Sequence, residues 1–431
     1  MSKIKNIAGF SRKLFTLRLR IQILFHFIPK LINGKISPKR FNYFLRRLLV
    51  FLSRMHHNKY FKMGNTAKIC LYVPGFPSKA FYHACEKFME FEKKMPCVSV
   101  LVSVTSGCRY NCSHCYQKLD KGKDVDIDIL VDAVKKLQNM GTAFFNIEGG
   151  EPFLTYERLK KVCQSIDDRA EIWINSTGDG MTLEKLEELK KLNVSAIMFS
   201  LHSHEPESFN KFLGSPTAWD TMEKAIFMCH KAGISVAFNS CLMKDDFYNG
   251  NFEKIMDTAK DFDASIIQII KPKPSGGWLS NDELDFSEED LSHAKAKMNL
   301  YNQDEKYSDY PSISGQIIEE SPEVFGCTAG GTDRFYINAK GDVQPCEFLN
   351  ISFGNIADEP FEIIFDRMRE VFEGGGGECM LCEKCSGMIN KVYVENKLTT
   401  LPLSPEASKE IYGCWDRGKK TSMYAEVDSL K

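Results

Sequence analysis

From residue 97 to about 305 the chain reads as strand and helix in strict alternation, and few folds accommodate that pattern. Strand-like segments lie at Val98–Val104, Ala143–Ile147, Glu171–Asn175, Ala196–Leu201, Ser235–Ser240 and Ser265–Ile270. Helix-period segments fall between them, at Ile127–Met140, Tyr156–Ile166, Leu183–Leu192, Trp219–Ala232 and Phe252–Phe262. Strands joined through helices pair in parallel, by right-handed crossovers. The order predicts an α/β fold: a partial (βα)6 barrel of the TIM type, with nothing downstream to supply the last two units of a closed one.

Three regions follow: a basic helical extension over 1–95, the barrel over 96–305, and a small cysteine-rich domain over 320–420. A polar stretch around Ser280–Asp309 separates the last two. Hydrophobic residues at 43% suffice for a large core. The cysteines exclude a secreted disulfide scaffold. There are 15, an odd number, and nine fall in tight groups or the region joining them. No cleavable signal pattern opens the chain. Metal or cluster ligation in a reducing, cytoplasmic setting is the expectation.

The formal net charge of −1 conceals an asymmetry. Residues 1–85 hold seventeen Lys or Arg and no Asp or Glu, leaving 39 basic against 57 acidic residues in the rest. Ser37 as N-cap and Pro38 at the first helical position predict a helix there. Its apolar face is Phe41, Phe44, Leu45, Leu48, Leu49, Leu52 and Met55, with Arg40, Arg47 and Arg54 as a separate stripe. Leu14–Ile28 is a second apolar segment, dotted with Arg18 and Arg20. Neither has the uninterrupted length of a transmembrane helix. Three readings stand: packing on the barrel, peripheral contact of residues 1–62 with the inner face of a membrane, and binding of a polyanion such as RNA. The Leu- and Phe-rich faces favour membrane over nucleic acid, for which no module is evident.

Just after the first strand come Cys108, Cys112 and Cys115, within Cys-Arg-Tyr-Asn-Cys-Ser-His-Cys. A loop at the C-terminal end of a barrel strand is where such folds carry chemistry. Three thiolates hold three irons of a cubane and leave the fourth open to a ligand, whereas a fourth thiolate closes it. Zinc is the competing reading, although its ligands more often come as two separated pairs.

The triplet resembles the signature of the radical SAM superfamily, C-x3-C-x2-C after the first strand, over roughly residues 97–275. The second strand ends in Gly149-Gly150-Glu151-Pro152, similar to that family's Gly-Gly-Glu-Pro motif. The glycines permit close backbone approach to a ligand, and Glu151 is suited to accept from an ammonium group. Weaker similarities are Asn175-Ser176-Thr177-Gly178 after strand three and Ser200-Leu201-His202 after strand four. The resemblance assigns the cofactor contacts to His114, Gly149, Gly150, Glu151, Pro152, Asn175 and Ser200. His114 stands where the family usually has an aromatic residue beside the adenine.

Cys327 and Cys346 are spaced as C-x13-G-x4-C around Gly341, and Cys379, Cys382, Cys385 and Cys414 follow. This is similar to the SPASM or twitch extension, which carries auxiliary iron–sulfur clusters. The family pattern has seven cysteines and this chain six, too few to close two four-iron clusters. Two arrangements stand: one cluster on Cys327, Cys346 and two of the later group, or a closed cluster on Cys379, Cys382, Cys385 and Cys414 with the second partial or absent. A zinc ribbon is the alternative. Cys70, Cys85, Cys97, Cys163, Cys229 and Cys241 read as ordinary buried thiols.

The resemblance implies a catalytic [4Fe-4S] cluster on Cys108, Cys112 and Cys115, reduced by a donor such as ferredoxin or flavodoxin. It implies reductive cleavage of S-adenosylmethionine to methionine and a 5′-deoxyadenosyl radical, which takes a hydrogen from a substrate: a membrane-associated molecule, a lipid, or a peptide. The alternative is a non-enzymatic zinc adaptor with a nucleic-acid- or membrane-binding arm.

Overall fold

The computed structural model describes residues 6–7, 9–87, 98–279, 281, 284–331 and 334–430. Cys97 and the 95/96 boundary lie outside the described residues.

Seven parallel strands form the barrel wall: Ser99–Ser103, Phe144–Glu148, Glu171–Ser176, Val194–Ser200, Ser235–Cys241, Ile266–Ile270 and Ser312–Gly315, each beside the next. The first six answer to the sequence reading. The seventh corrects it: the polar stretch contains a helix, Glu288–Gln303, capped by Ser287 and Asp290, which returns the chain to the sheet. The sheet therefore runs past residue 305. At its opposite edge, Tyr336–Ile337 pairs in parallel with the first strand and antiparallel with Val343–Gln344. The cysteine-rich region thus extends the same nine-stranded sheet.

Alternation along the strands separates two environments. Val100, Val102, Phe145, Ile147, Ile172, Ile174, Ile197, Phe199, Val236, Phe238, Ile267 and Ile269 pack in one large core with the covering helices. Phe144, Trp173, Ala196, Met198, Ala237 and Ile266 form another cluster with Phe61, Met63 and Leu71. These side chains come from strand starts, so residues 61–72 plug the N-terminal end of the barrel lumen. Lys68 is buried there against Glu171 at 2.8 Å and lies over the rings of Phe144 and Trp173. The opposite end, where the strands finish, carries Glu148, Asn175 and Asn239.

The N-terminal region is built from α1 (Gly9–Ile32), α2 (Pro38–Arg54), a three-stranded antiparallel sheet and a helix at Lys79–Lys87. Ser37 caps α2, its hydroxyl accepting from Arg40 N at 3.2 Å. The buried face of α2 is rotated from the sequence expectation: Tyr43 and Val50 are buried and Leu49 is exposed. The cause is the C-terminal helix Ser422–Asp428, whose Met423 packs on Val50 while Glu426 pairs with Arg54 at 2.7 Å. No helix among the described residues is long and apolar enough to cross a membrane.

Candidate functional site

The first barrel strand ends at Ser103, and the loop beyond it carries the three cysteines. Asp124 clamps the start of that loop, accepting from Thr105 Oγ1 at 2.7 Å and from Ser106 N and Oγ at 2.9 Å. Its middle is tied by Asn111 N to Leu213 O at 3.2 Å, and its end by Gly277 N to Cys115 O at 3.0 Å. The Gly149–Pro152 turn supplies a fourth tie. Gly150 N donates to Thr105 O at 2.7 Å and Glu151 N to Gly107 O at 2.8 Å. A Cβ on Gly150 would stand 2.3 Å from Gly107 O, so only glycine lets the two backbones meet.

Cys108 is exposed, while Cys112 and Cys115 are half-buried. Burial pushes Cys112 up to about 12, and the neighbouring Cys115 and Cys108 push it the same way. Cys108 is raised to about 11, again by burial first. Three thiols close enough to oppose one another's ionisation need a cationic partner to become thiolates together. The set, on a loop tied at four points and open at Cys108, fits the three-thiolate ligation of an iron–sulfur cluster. Among the described residues, no three His, Cys, Asp or Glu side chains converge tightly enough to hold a single metal ion.

Glu151 is fully buried and its oxygens are occupied by protein donors. Oε1 accepts from Ser176 Oγ at 2.8 Å and Phe153 N at 3.1 Å; Oε2 accepts from Thr177 N at 2.7 Å and Thr177 Oγ1 at 2.6 Å. Its carboxylate ties the second strand's turn to the third's. Pro152 opens a short 3-10 turn behind it.

The upper lumen holds a residue that sequence reasoning missed. Glu148 is buried, and burial pushes its carboxyl up to about 8. Its Oε1 accepts from Tyr116 OH and its Oε2 from Asn175 Nδ2 at 3.0 Å. Gln117 Nε2 links onward to Tyr336 OH at 2.6 Å. Asn175 Oδ1 and Asn146 Oδ1 are buried acceptors with no protein partner, as a site for a polar ligand requires. The available signal was an acid closing a mostly apolar strand, Phe-Phe-Asn-Ile-Glu.

His114 packs among Phe212, His202 and Trp278, with ring centroids 4.5, 4.7 and 5.6 Å away. Burial pushes its imidazole down to about 4, so it is neutral near pH 7. His202 Nδ1 accepts from Cys241 N at 3.0 Å, which leaves the proton on Nε2, a buried atom without a protein partner. Ser200 is half-buried at the end of the fourth strand, opposite Asn239.

The C-terminal thiols divide. Cys327, Cys346 and Cys382 are buried and line one small cavity with Glu320, Arg334 and Phe348. Arg334 and Lys273 bring positive charge to it: Lys273 lies between Glu320 at 2.9 Å and Glu383 at 2.8 Å, and Arg334 reaches Glu320 at 3.2 Å. Cys385 is buried, with its ionisation opposed by burial and then by Cys414 and Cys327. Cys379 stands apart, accepting from Lys384 Nζ at 2.9 Å, and Cys414 is exposed. Of the other cysteines, Cys70, Cys85, Cys163 and Cys229 are buried and Cys241 is half-buried.

Two family models match the chain: the radical SAM superfamily over residues 102–260 and an iron–sulfur cluster-binding domain, SPASM, over 327–386. The AdoMet-dependent heme synthase of Nitratidesulfovibrio vulgaris is 22% identical over 334 residues, covering 69% of this chain and 88% of the relative. A probable GTP 3′,8-cyclase of Methanococcus vannielii is 26% identical, covering 58% of this chain and 84% of its own. Among solved structures, Streptococcus suis SuiB bound to precursor peptide SuiA superposes with a TM-score of 0.52 at 12% identity, covering 65% of this chain and 67% of that one. The structure of anSMEcpe with bound AdoMet gives 0.51 at 17%, covering 78% and 95%. These structural likenesses concern the fold.

Proposed function

The chain belongs to the radical SAM superfamily and is an iron–sulfur enzyme with a SPASM domain, and from that premise we propose how its own residues divide the work. Cys108, Cys112 and Cys115 hold the catalytic [4Fe-4S] cluster and leave one iron for the amino and carboxylate groups of S-adenosylmethionine. When bound, these groups supply one-electron cleavage of the sulfonium and the 5′-deoxyadenosyl radical that removes a substrate hydrogen.

The observation that carries this reading is the pair of hydrogen bonds from Gly150 N to Thr105 O and Glu151 N to Gly107 O, which fixes the thiol loop against the Gly149–Pro152 turn. Gly149, Gly150 and Pro152 shape the cofactor's bed through the backbone, and Glu151 holds that bed rigid. Asn175 and Ser200 line the strand ends facing it, while His114 offers a neutral ring for the adenine. His202 Nε2 is a further donor toward the same space. The substrate lies in the upper lumen beside Glu148, whose raised pKa keeps it a neutral hydrogen-bonding acid at pH 7.

For the auxiliary cluster, the cavity among Cys327, Cys346 and Cys382 supports the first of the two arrangements, with Cys385 as fourth ligand. The zinc adaptor is not favoured. A ferredoxin- or flavodoxin-type donor would deliver the electron at exposed Cys108. The enzyme acts in the cytoplasm, with peripheral membrane contact through residues 1–62. The apolar exposure of α1 favours a membrane-associated or lipid substrate over a peptide.

Anaerobic reconstitution tests the reading. The protein should bind iron and sulfide, and on reduction with dithionite form 5′-deoxyadenosine from S-adenosylmethionine. A colourless zinc protein with no such product would refute it.

A further inference from the structure

We propose that α1 lies in the plane of an anionic lipid surface, with one defined stripe of side chains in the acyl boundary. The inference rests on the peripheral contact proposed above and narrows it from 62 residues to one helix face.

The face opposite the stripe is fully committed. Leu19, Ile23 and Phe27 are buried against Phe44 and Leu48 of α2 and against Phe76 and Phe81. On the outer side Phe10, Leu14, Leu17, Ile21, Phe25, Ile28 and Ile32 are exposed, Phe10, Phe25 and Ile32 by more than 70%. Their spacing is 4, 3, 4, 4, 3, 4. That is an eleven-residue period, about 3.67 residues per turn, so from Phe10 to Ile28 the stripe stays nearly parallel to the helix axis for about 27 Å, up to the turn that Pro29 interrupts. An apolar face this long is not ordinary surface.

Charge selects the occupant. Two clefts of about 690 and 660 Å³ flank the helix. One is lined by Arg18 and Lys62, the other by Arg12, Lys13 and Arg20; no acidic residue appears in either lining among the described residues. Each also includes a stripe residue, Leu14 or Leu17. Apolar side chains between two basic clefts match acyl chains between rows of headgroup phosphates. A second copy would instead bring two such helices together, each from a segment of seventeen basic and no acidic residues. Like charges oppose that pairing.

The test is flotation of the full-length, cluster-loaded protein with vesicles of phosphatidylcholine, with and without phosphatidylglycerol. Co-flotation should occur only with the anionic vesicles and weaken with salt. Leu17→Glu with Phe25→Glu should cut partitioning by about tenfold or more. Lys13→Ala, Arg18→Ala and Arg20→Ala should each cut it roughly fivefold. All variants should keep wild-type 5′-deoxyadenosine formation, which shows they are folded. Equal flotation of wild type and stripe variants would overturn the stripe and leave the wider peripheral contact standing. No flotation at all would overturn both. A wild-type dimer that the stripe substitutions make monomeric, without vesicle binding, would overturn the lipid assignment in favour of a second copy.

Discussion

Tyr116, one residue past the third cysteine of the loop, donates its hydroxyl to the buried Glu148 carboxyl at 2.5 Å. The contact joins the proposed cluster loop to the upper lumen. Glu148 has its pKa pushed up to about 8 by burial, against an ordinary value of 4.5. A raised folded-state pKa means the stabilising balance is fully present below the unfolded value and is lost as pH rises through the folded one. Stability should therefore fall from about pH 4.5 and level off near pH 8. Glu319, raised to about 7, contributes in the lower part of that window. Thermal melts of Glu148→Gln should fall less steeply than wild type between about pH 5 and pH 8, and keep the Glu319 component, which ends near pH 7.

Gly150→Ala forces a Cβ to within 2.3 Å of Gly107 O, a backbone atom that cannot swing away. The expected cost is about 1–3 kcal/mol, with displacement of the cysteine loop. Iron content per chain after reconstitution should drop together with the melting temperature. An unchanged iron content would show that the clamp does not position the thiols.

Lys68 and Glu171 form a buried pair at the floor of the lumen. Lys68→Met leaves the Glu171 carboxylate with Gly75 N, Trp173 Nε1 and Ser195 Oγ but no cation. Removing one partner of such a pair costs about 3–5 kcal/mol, and Lys68→Met with Glu171→Gln should recover much of it. Urea midpoints of the wild type and the two variants measure this.

The sequence made the first six strands legible because their outward rows are apolar at every second position. Ser312–Gly315 reads Ser-Ile-Ser-Gly and has no such signal; its neighbours bury it, and only Ser287 and Asp290 announced the helix before it. Phe61, Met63 and Leu71 form an unremarkable apolar run until a barrel exists for them to plug. Close spacing grouped Cys379, Cys382 and Cys385. Folding through the short helix Leu381–Lys384 instead turns Cys382 toward Cys327 and Cys346. The contacts of Glu151 with Ser176 and Thr177 could not be read from the motif, because they join the ends of two strands that lie apart in the sequence.

The proposed auxiliary ligand set separates Cys382 from Cys379. In a protein lacking Cys108, Cys112 and Cys115, Cys382→Ser should remove most of the remaining iron and its electron paramagnetic resonance signal. Cys379→Ser should retain most of both. Equal losses would instead support the closed set of Cys379, Cys382, Cys385 and Cys414.

The central claim, that Cys108, Cys112 and Cys115 hold the cluster that generates the radical, is tested most directly by one measurement. It is 5′-deoxyadenosine formation by anaerobically reconstituted, dithionite-reduced protein, wild type against Cys112→Ala. The account predicts product from the wild type and a loss of at least about a thousandfold in the variant, because a two-thiolate site cannot retain the cluster. Product formation by Cys112→Ala at a rate near that of the wild type would contradict it.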